Sequence, residues 1–255
     1  MFTPKGKFGW YELMTSDTHA AGKFYSDVVG WTTNEMSSPE AGTYTTFNLG
    51  SVGMAGMLKM EGHSGWIGYI SVDDVDAHVE KIVEAGGKLL RPAVDIPQML
   101  RFAVMSDPQG AAIVVFTSHP GMPSPQRPEP PATGTIGWNE LYTTDLDGAF
   151  DFYSKMFGWT KHSDMDMGPM GLYRLFDQGD KKPMGDGGMM NKPPHVPVSC
   201  WNFYFCVDSI GEAVSRVKAG GGQVLNGPMQ VPGGGWIING QDPQGAMFCL
   251  VGSKE

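Results

Sequence analysis

Two glutamates occur in the same short pattern at two places in the chain, each two residues after a tryptophan. Trp10 precedes Glu12 in GWYEL, and Trp138 precedes Glu140 in GWNEL. Side chains two residues apart lie on the same face of a strand, so each carboxylate is expected beside an indole. Burial there would raise the pKa of the carboxyl group and suit it to act as a general base or acid, or as an acceptor for a polar ligand. Alternatively, both glutamates satisfy backbone or arginine groups within the wall of the fold.

These two patterns are part of a longer internal repeat. The matching segments are 9–31 with 137–159, 72–90 with 207–225, and 106–112 with 241–247. Three matches in the same order indicate a tandem duplication. Residues 119–135 are dense in proline and predict a linker. The sequence therefore predicts one domain over 1–118 and a second over 136–255.

Hydrophobic periodicity predicts the same order of elements twice in each half: a strand, a helix, then further strands. The first helix is expected over Thr18–Val28, with Ser16 or Asp17 as its N-cap and Gly30 just past its end. The second is expected over Val75–Ala85. The predicted strands of the first half are Phe8–Met14, Tyr44–Leu49, Met54–Met60, Trp66–Val72, Lys88–Leu90, Phe102–Met105 and Ala111–Thr117. This pattern indicates an α+β protein of four βαβββ modules.

The amino-acid composition argues against several classes of partner and location for this protein. The chain has 255 residues, 41% of them hydrophobic, and a formal charge of −9, which argues against non-specific binding to nucleic acid. The sequence has neither an apolar run of membrane-spanning length nor the apolar region of a secretory signal. Its cysteines, Cys200, Cys206 and Cys249, are scattered, which favours free thiols over a disulfide framework or a zinc site. We expect a cytoplasmic protein with no nucleic-acid or membrane partner.

Six motifs carry a resemblance to a known family. They are FYSDVVG (24–30), VDDVDA (72–77) and DPQG (107–110), followed by FYSKMFG (152–158), VDSIGEA (207–213) and DPQG (242–245). In this order they resemble the vicinal oxygen chelate superfamily, which includes glyoxalase I, bleomycin-resistance proteins and extradiol dioxygenases. The resemblance implies two tandem glyoxalase-like domains, each an eight-stranded, half-open barrel with a cavity between its two modules. It does not fix the activity, because the same fold serves isomerases, dioxygenases, lyases and binding proteins.

The same resemblance implies where a metal would bind, namely on the first, fourth, fifth and eighth strands of each domain. At the first, fifth and eighth of these positions the sequence has Trp10, Ile67 and Val114 in one half and Trp138, Asn202 and Cys249 in the other. The fourth strand does not align securely, and Asp186 is its one acidic candidate. Such residues do not supply the three or four nitrogen and oxygen ligands of iron, zinc or nickel. We therefore expect no metal and no other cofactor.

Further side chains are expected to line the cavities and bind a ligand. Besides Trp10 and Trp138 they are Tyr44, Tyr69, Arg101, Tyr173, Asn202, Tyr204 and Trp236. Arg101 would clamp a carboxylate or phosphate, or else form a surface salt bridge, whereas Trp236 at the equivalent position would favour a planar ligand. The glycine-rich segments 185–190 and 232–236 lack the context of a phosphate loop, and predict hairpin turns or loops over the cavity.

Together these observations predict a metal-independent protein that binds a small organic molecule in its barrel cavities, in the manner of sequestration or resistance proteins. One alternative is a lyase, isomerase or hydroxylase-type enzyme that uses Glu12 or Glu140 as its general base. Another is a weak or stoichiometric detoxifier of methylglyoxal, and a metal-dependent dioxygenase or glyoxalase is the least favoured. A monomer and a homodimer are both compatible with the sequence.

Overall fold

The structure is a computed structural model that describes residues 5–38, 42–121, 126–179 and 182–254. Its helices are α1 (Thr18–Val29), α2 (Val75–Glu84), α3 (Leu146–Phe157) and α4 (Ile210–Ala219). The strands of the first half are β1 (Phe8–Thr15), β2 (Thr32–Ser38), β3 (Gly42–Leu49), β4 (Val52–Lys59), β5 (Gly65–Ser71), β6 (Lys88–Ile96), β7 (Leu100–Ser106) and β8 (Ala112–Ser118). Those of the second half are β9 (Ile136–Thr143), β10 (Thr160–Asp166), β11 (Leu172–Asp177), β12 (Gly187–Asn191), β13 (Cys200–Ser209), β14 (Gln223–Gln230), β15 (Trp236–Gln241) and β16 (Met247–Ser253).

These elements form the four predicted βαβββ modules. In the first module the strand order is β2-β3-β4-β1, and in the second it is β5-β8-β7-β6. The third and fourth modules repeat these orders as β10-β11-β12-β9 and β13-β16-β15-β14. The first and last strands of each module pair in parallel and the others pair antiparallel. Strands β1–β8 make one eight-stranded sheet and β9–β16 the other, which confirms the predicted α+β class.

Local sequence explains the helix boundaries. Asp17 caps α1 by accepting a hydrogen bond from the Ala20 amide, and Gly30 ends the helix with φ of +88°. At α3, Asp145 accepts a hydrogen bond from the Gly148 amide, and Gly158 ends the helix with φ of +74°. Of the helices in the described segments, none is long and apolar enough to cross a membrane.

The structure corrects the sequence interpretation at two strands. Strand β2 was not predicted, because its sequence TTNEMSS is polar and exposed and lacks an alternating apolar face. The segment 185–190 was expected to be a turn or loop, but its residues from Gly187 onward form the buried strand β12. A strand containing two glycines is unusual, and the neighbouring ring of Tyr173 explains one of them. Residues 232–235 lie in the turn between β14 and β15, as expected, and Trp236 begins β15.

The chain packs as two compact units, and each takes one module from each half of the sequence. The first unit comprises Met1–Gly9, Ile67–Ser124 and Trp138–Trp201. The second comprises Trp10–Trp66, Pro125–Gly137 and Asn202–Glu255. The second module thus packs with the third, and the first with the fourth. The domain boundaries at 118 and 136 stay a prediction.

A buried tyrosine joins the two halves within the second unit. The hydroxyl of Tyr25, in the FY motif of α1, accepts a hydrogen bond from Trp66 Nε1 at 2.8 Å. It lies 3.1 Å from Oδ2 of Asp242, to which it donates, and Asp242 belongs to the DPQG motif of the second half. The other oxygen of Asp242 accepts hydrogen bonds from the Gln244 and Ala246 amides. The Tyr25 hydroxyl, the Trp66 indole N–H and both carboxylate oxygens of Asp242 therefore have partners.

The first unit contains the same arrangement with the halves exchanged. Tyr153 accepts from Trp201 Nε1 at 2.9 Å and donates to Oδ2 of Asp107 at 3.1 Å. We call Trp66–Tyr25–Asp242 and Trp201–Tyr153–Asp107 the lock triads. Burial, and then the nearby aspartate, raises the pKa of both tyrosines, so they remain protonated donors. Burial also raises the pKa of Asp107 and Asp242, although the backbone donors oppose it.

Removing the hydroxyl of a lock triad should destabilise its unit. We expect Tyr25→Phe to lower the free energy of unfolding by about 1–3 kcal/mol, because it leaves a buried carboxylate and a partly buried indole N–H without this partner. Urea denaturation of Tyr25→Phe, Asp242→Asn and the double variant measures this as a double-mutant cycle. Additive effects of the two substitutions would show that the hydroxyl and the carboxylate are not coupled.

The raised pKa values of Asp107 and Asp242 predict a specific pH dependence. Between the unfolded pKa of about 3.9 and the higher folded value, the folded protein binds more protons than the unfolded chain. Their favourable contribution is therefore complete below the unfolded pKa and is lost as pH rises through the folded pKa. The unfolding free energy of the parent minus that of Asp107→Asn/Asp242→Asn should fall as pH rises through this window. A difference that stays constant with pH contradicts the assignment.

Candidate functional site

The glutamate of the first repeat forms a buried network with two aromatic side chains. Trp10 and Glu12 lie on one face of β1, and Tyr44 reaches them from β3. Trp10 Nε1 donates to the Tyr44 hydroxyl at 3.0 Å, and that hydroxyl donates to the Glu12 carboxylate. Glu12 is only 7% exposed, so its carboxylate is held at a defined position away from bulk water.

The second repeat reproduces this network. Trp138 Nε1 donates to the Tyr173 hydroxyl at 2.8 Å, and the hydroxyl donates to Glu140 Oε1 at 2.9 Å. Glu140 is 6% exposed. We call Trp10–Tyr44–Glu12 and Trp138–Tyr173–Glu140 the site triads. The structure therefore brings both predicted catalytic glutamates together with two predicted ligand-binding residues each.

A glycine on the last strand of the first module, and another on that of the third, makes room for the tyrosine. Gly56 pairs with Glu12 across β1 and β4, and Gly188 pairs with Glu140 across β9 and β12. A Cβ atom at Gly56 would lie 1.8 Å from the Tyr44 hydroxyl oxygen, and one at Gly188 would lie 2.3 Å from that of Tyr173. The sequence analysis missed these glycines, whose only signal was the recurrence of a Gly-Met pair in both halves.

Burial keeps the site tyrosines protonated. It raises the pKa of Tyr44 and of Tyr173 well above the usual value, and the negative charge on Glu12 or Glu140 adds to the effect. The tyrosine hydroxyl is therefore a fixed donor to the glutamate rather than a proton carrier near neutral pH. The arrangement orients a buried carboxylate, which suits it to accept a hydrogen bond or proton from a ligand.

The two site triads have different neighbours. The guanidinium of Arg127, within the predicted linker, lies 5.3 Å from the Trp10 ring centre, and its Nε donates to the Gly53 carbonyl at 3.0 Å. Burial lowers the pKa of Arg127. In the second repeat, burial and the charge of Glu140 raise the pKa of Cys200 to about 11. The first triad thus has a cation nearby and the second a neutral thiol.

The remaining residues that were predicted to bind a ligand lie in the second and fourth modules. Tyr69 is buried against the rings of Phe102 and Phe116, at centroid distances of 6.1 and 6.0 Å. In the fourth module, Tyr204 lies on β13 beside Cys249 of β16, and Asn202 lies two residues earlier on the same face. Asn239 of β15, which the sequence analysis did not single out, completes this group.

Arg101 and Trp236 lie on the opposite face of their modules from these residues. Strand register explains this, because Arg101 is three residues from Val104, which pairs with Val114, and Trp236 is three residues from Asn239. The Arg101 guanidinium binds Asp76 of α2 and Asp95 of β6 at 2.7–2.9 Å, the salt-bridged alternative. Lys254 lies over the Trp236 ring at 5.1 Å. Their binding to a ligand stays a prediction that this geometry does not favour.

The residues at the family's metal positions do not fit a metal. Indole and aliphatic side chains offer a cation no lone pair, Asn202 and Cys249 supply only one neutral amide and one thiol, and Gly56 and Gly188 on β4 and β12 supply none. Asp186 precedes β12, and its carboxylate accepts from the Gln178 amide at 2.6 Å and pairs with Lys182 at 2.8 Å. Within residues 5–38, 42–121, 126–179 and 182–254, no three His, Cys, Asp or Glu side chains converge.

The glycine beneath the first site triad provides a test of its packing. We expect Gly56→Ala to lower the free energy of unfolding by about 1–3 kcal/mol, because the new methyl group overlaps the Tyr44 hydroxyl. Gly65→Ala is the matched control, since a Cβ there would lie 3.6 Å from the nearest atom, His63 Nε2. Thermal and urea unfolding measure the stability of both variants. Equal effects of the two substitutions would contradict the close packing of Tyr44 on Gly56.

Known proteins resemble the chain in sequence and in structure. The sequence profile of the Glyoxalase/Bleomycin resistance protein/Dioxygenase superfamily matches residues 7–115 and again 135–250. The glyoxylase candidate CFP32 of Mycobacterium tuberculosis is 36% identical over 97% of this chain and 95% of its own length. The anthracycline biosynthesis protein DnrV of Streptomyces peucetius is 30% identical over 100% of this chain and 95% of its own.

Two solved structures share the fold at low sequence identity. The Mn(II)-bound glyoxalase from Novosphingobium aromaticivorans is 14% identical with a TM-score of 0.67, covering 98% of this chain and 83% of that one. The 2,3-dioxygenase LapB from Pseudomonas sp. KL28 is 14% identical with a TM-score of 0.66, covering 100% and 94%. With its duplicated βαβββ modules and two profile matches, the chain belongs to the glyoxalase/bleomycin resistance/dioxygenase superfamily.

Proposed function

We propose that the protein binds a small aromatic molecule without a metal, and that Glu12 or Glu140 accepts a hydrogen bond from a polar group of that molecule. The observation that carries the proposal is the site triad. In both repeats it holds an oriented, buried carboxylate two residues after the tryptophan at the first-strand position that the family resemblance implies for a metal ligand. The protein would act by sequestration or as a carrier.

The chemistry of the triad favours a ligand that donates a hydrogen bond. A carboxylate is an acceptor, and a charged acceptor forms hydrogen bonds about twice as strong as a neutral one. The half-buried indoles of Trp10 and Trp138 lie next to the carboxylates, and their exposed parts offer apolar surface to a planar ring; the Arg127 guanidinium already lies over the Trp10 ring. A hydroxylated aromatic compound combines both features.

The names of the relatives agree with this ligand class. DnrV is named for anthracycline biosynthesis, and anthracyclines are polycyclic aromatic compounds with hydroxyl and carbonyl groups. Because DnrV and this chain align over nearly their whole lengths, a ligand of comparable chemistry is a reasonable proposal for this chain. CFP32 is named for glyoxylase chemistry, which supports the enzymatic alternative.

That alternative is a lyase, isomerase or hydroxylase-type reaction with Glu12 or Glu140 as the general base. The specific observation in its favour is the single, fixed position of each carboxylate beside a permanently protonated tyrosine. Such preorganisation serves proton abstraction as well as binding. The residues involved are the same in both proposals, and the size of a mutational effect separates them.

Glutamine substitutions of both glutamates test the proposal. We expect Glu12→Gln/Glu140→Gln to weaken binding of 2-hydroxyfluorene about tenfold, a change of about 1.4 kcal/mol, because the charged acceptor is lost. Binding of fluorene, which has the same rings without the hydroxyl, should be unchanged. Fluorescence titration of both compounds against both proteins measures the effect.

Three other results of these titrations would each change the proposed function. If the parent protein bound 2-hydroxyfluorene and fluorene with equal affinity, the glutamates would have no role in recognising the hydroxyl group. No binding of either would overturn the aromatic ligand. Conversion of the hydroxylated compound that falls by about 100-fold or more in the double variant would support the enzyme instead.

A further inference from the structure

A row of uncharged polar side chains crosses three strands of the fourth module. It consists of Asn202 and Tyr204 on β13, Cys249 on β16 and Asn239 on β15, and we call it the polar row. Tyr204 pairs with Cys249 in parallel register, and Asn239 pairs with Cys249 in antiparallel register. All of these residues belong to the second unit and lie on the same face of their strands.

Most of the polar row is held in place by its own hydrogen bonds. Asn239 Nδ2 lies 2.9 Å from Cys249 Sγ and 3.5 Å from the Tyr204 hydroxyl. Asn226 Nδ2 donates to Asn239 Oδ1 at 3.2 Å, so the orientation of the Asn239 amide is fixed. These contacts leave little freedom for Tyr204 and Asn239 to rearrange.

Asn202 is the exception. Its Nδ2 atom is buried and has no hydrogen-bond partner among the described residues, although its side chain begins the row two residues before Tyr204. Buried amide groups are nearly always hydrogen-bonded, and one without a partner needs an explanation. A ligand atom that accepts a hydrogen bond would supply the partner.

The first repeat shows that the fold itself does not require these polar residues. Subtracting the repeat shift of 135 residues, Asn202, Asn239 and Cys249 correspond to Ile67, Val104 and Val114. Those positions are apolar, Ile67 and Val114 are buried, and Val114 pairs with Tyr69 across β5 and β8. Only Tyr204 has a polar counterpart, in Tyr69 itself. The polarity is therefore particular to the second repeat.

The side chains of the row determine what it can recognise. Two amides, a phenol and a thiol provide neutral donors and acceptors and no compensating cation for an anion. A carboxylate or phosphate would lose its hydration here without an ion pair, whereas a ketone or quinone oxygen needs only a donor. We propose that the polar row binds a carbonyl oxygen of a neutral aromatic ligand, with Asn202 as the donor.

This inference rests on the proposed function, because it assumes an aromatic ligand, but it assigns the recognition of its carbonyl group to a different module. The site triad of the same unit accepts a hydrogen bond from the ligand through Glu12, whereas the polar row donates one. Asn202 would thus determine specificity between ligands with and without a carbonyl group. It would not act as a base.

The test compares two compounds that differ at one atom group. Fluorenone carries a ketone on the same ring skeleton as fluorene. We expect the full-length protein to bind fluorenone more tightly than fluorene, and Asn202→Ile to weaken fluorenone binding about tenfold while fluorene binding is kept or improved. Isothermal titration or fluorescence titration gives both constants. Asn202→Ala is the second variant, should isoleucine impair folding, and Ile67→Val is the control at the equivalent position of the first repeat.

Each outcome bears on the inference. Equal loss of fluorene and fluorenone binding in Asn202→Ile, with a normal unfolding temperature, would show that Asn202 only shapes the surface and would overturn the inference. Unchanged fluorenone binding in both Asn202 variants would overturn it as well, while leaving the aromatic ligand intact. Failure of the parent protein to bind fluorenone while it binds 2-hydroxyfluorene would overturn the inference alone. Failure to bind any of the three compounds would overturn the proposed function, and the inference with it.

Discussion

A tyrosine hydroxyl that lies between an indole N–H and a carboxylate is the interaction on which this structure depends, and it occurs four times within the described part of the chain. In the two lock triads it joins a helix of one half to the DPQG turn of the other. In the two site triads it fixes a glutamate on the first strand of a module. Each time the tyrosine accepts one hydrogen bond and donates one, so burial leaves no polar atom of its hydroxyl unsatisfied.

The hydrogen bonds that the carboxylates accept are what permit these charged groups to be buried. An unpaired buried carboxylate would be strongly unfavourable, and the tyrosine and backbone donors offset that cost. In the lock triads the result is structural, because Asp107 and Asp242 also accept two backbone amides each. In the site triads the partners are side chains on strands, and the resulting carboxylate is rigidly placed beside a half-buried indole. The same hydrogen-bonded triad of tryptophan, tyrosine and carboxylate thus stabilises the fold in one place and forms the proposed binding site in another.

Much of this could be predicted from sequence because the chain is duplicated. The WxE spacing placed Trp10 and Glu12 on one face, and the caps Asp17 and Gly30 defined the first helix. The pairing of Tyr25 with Asp242 could not be foreseen, since it depends on which modules pack together, and a repeat makes both pairings equally plausible. Gly56 and Asn239 were missed because their roles arise from register across strands. For Arg101, residue type suggested a ligand clamp, but its position on the strand brings it to Asp76 and Asp95.

The two repeats share the site triad but differ around it, with Arg127 near the first and Cys200 near the second. Duplication followed by divergence of the surroundings is a common route to two sites of different specificity on one scaffold. The central claim is that the site triads take the place of the family's metal site. Native mass spectrometry of the protein purified with added Mn²⁺ tests it most directly. We expect the mass of the chain alone or with an organic adduct. A stoichiometric Mn²⁺ that is retained by the parent protein and lost in Glu12→Gln/Glu140→Gln would contradict the account.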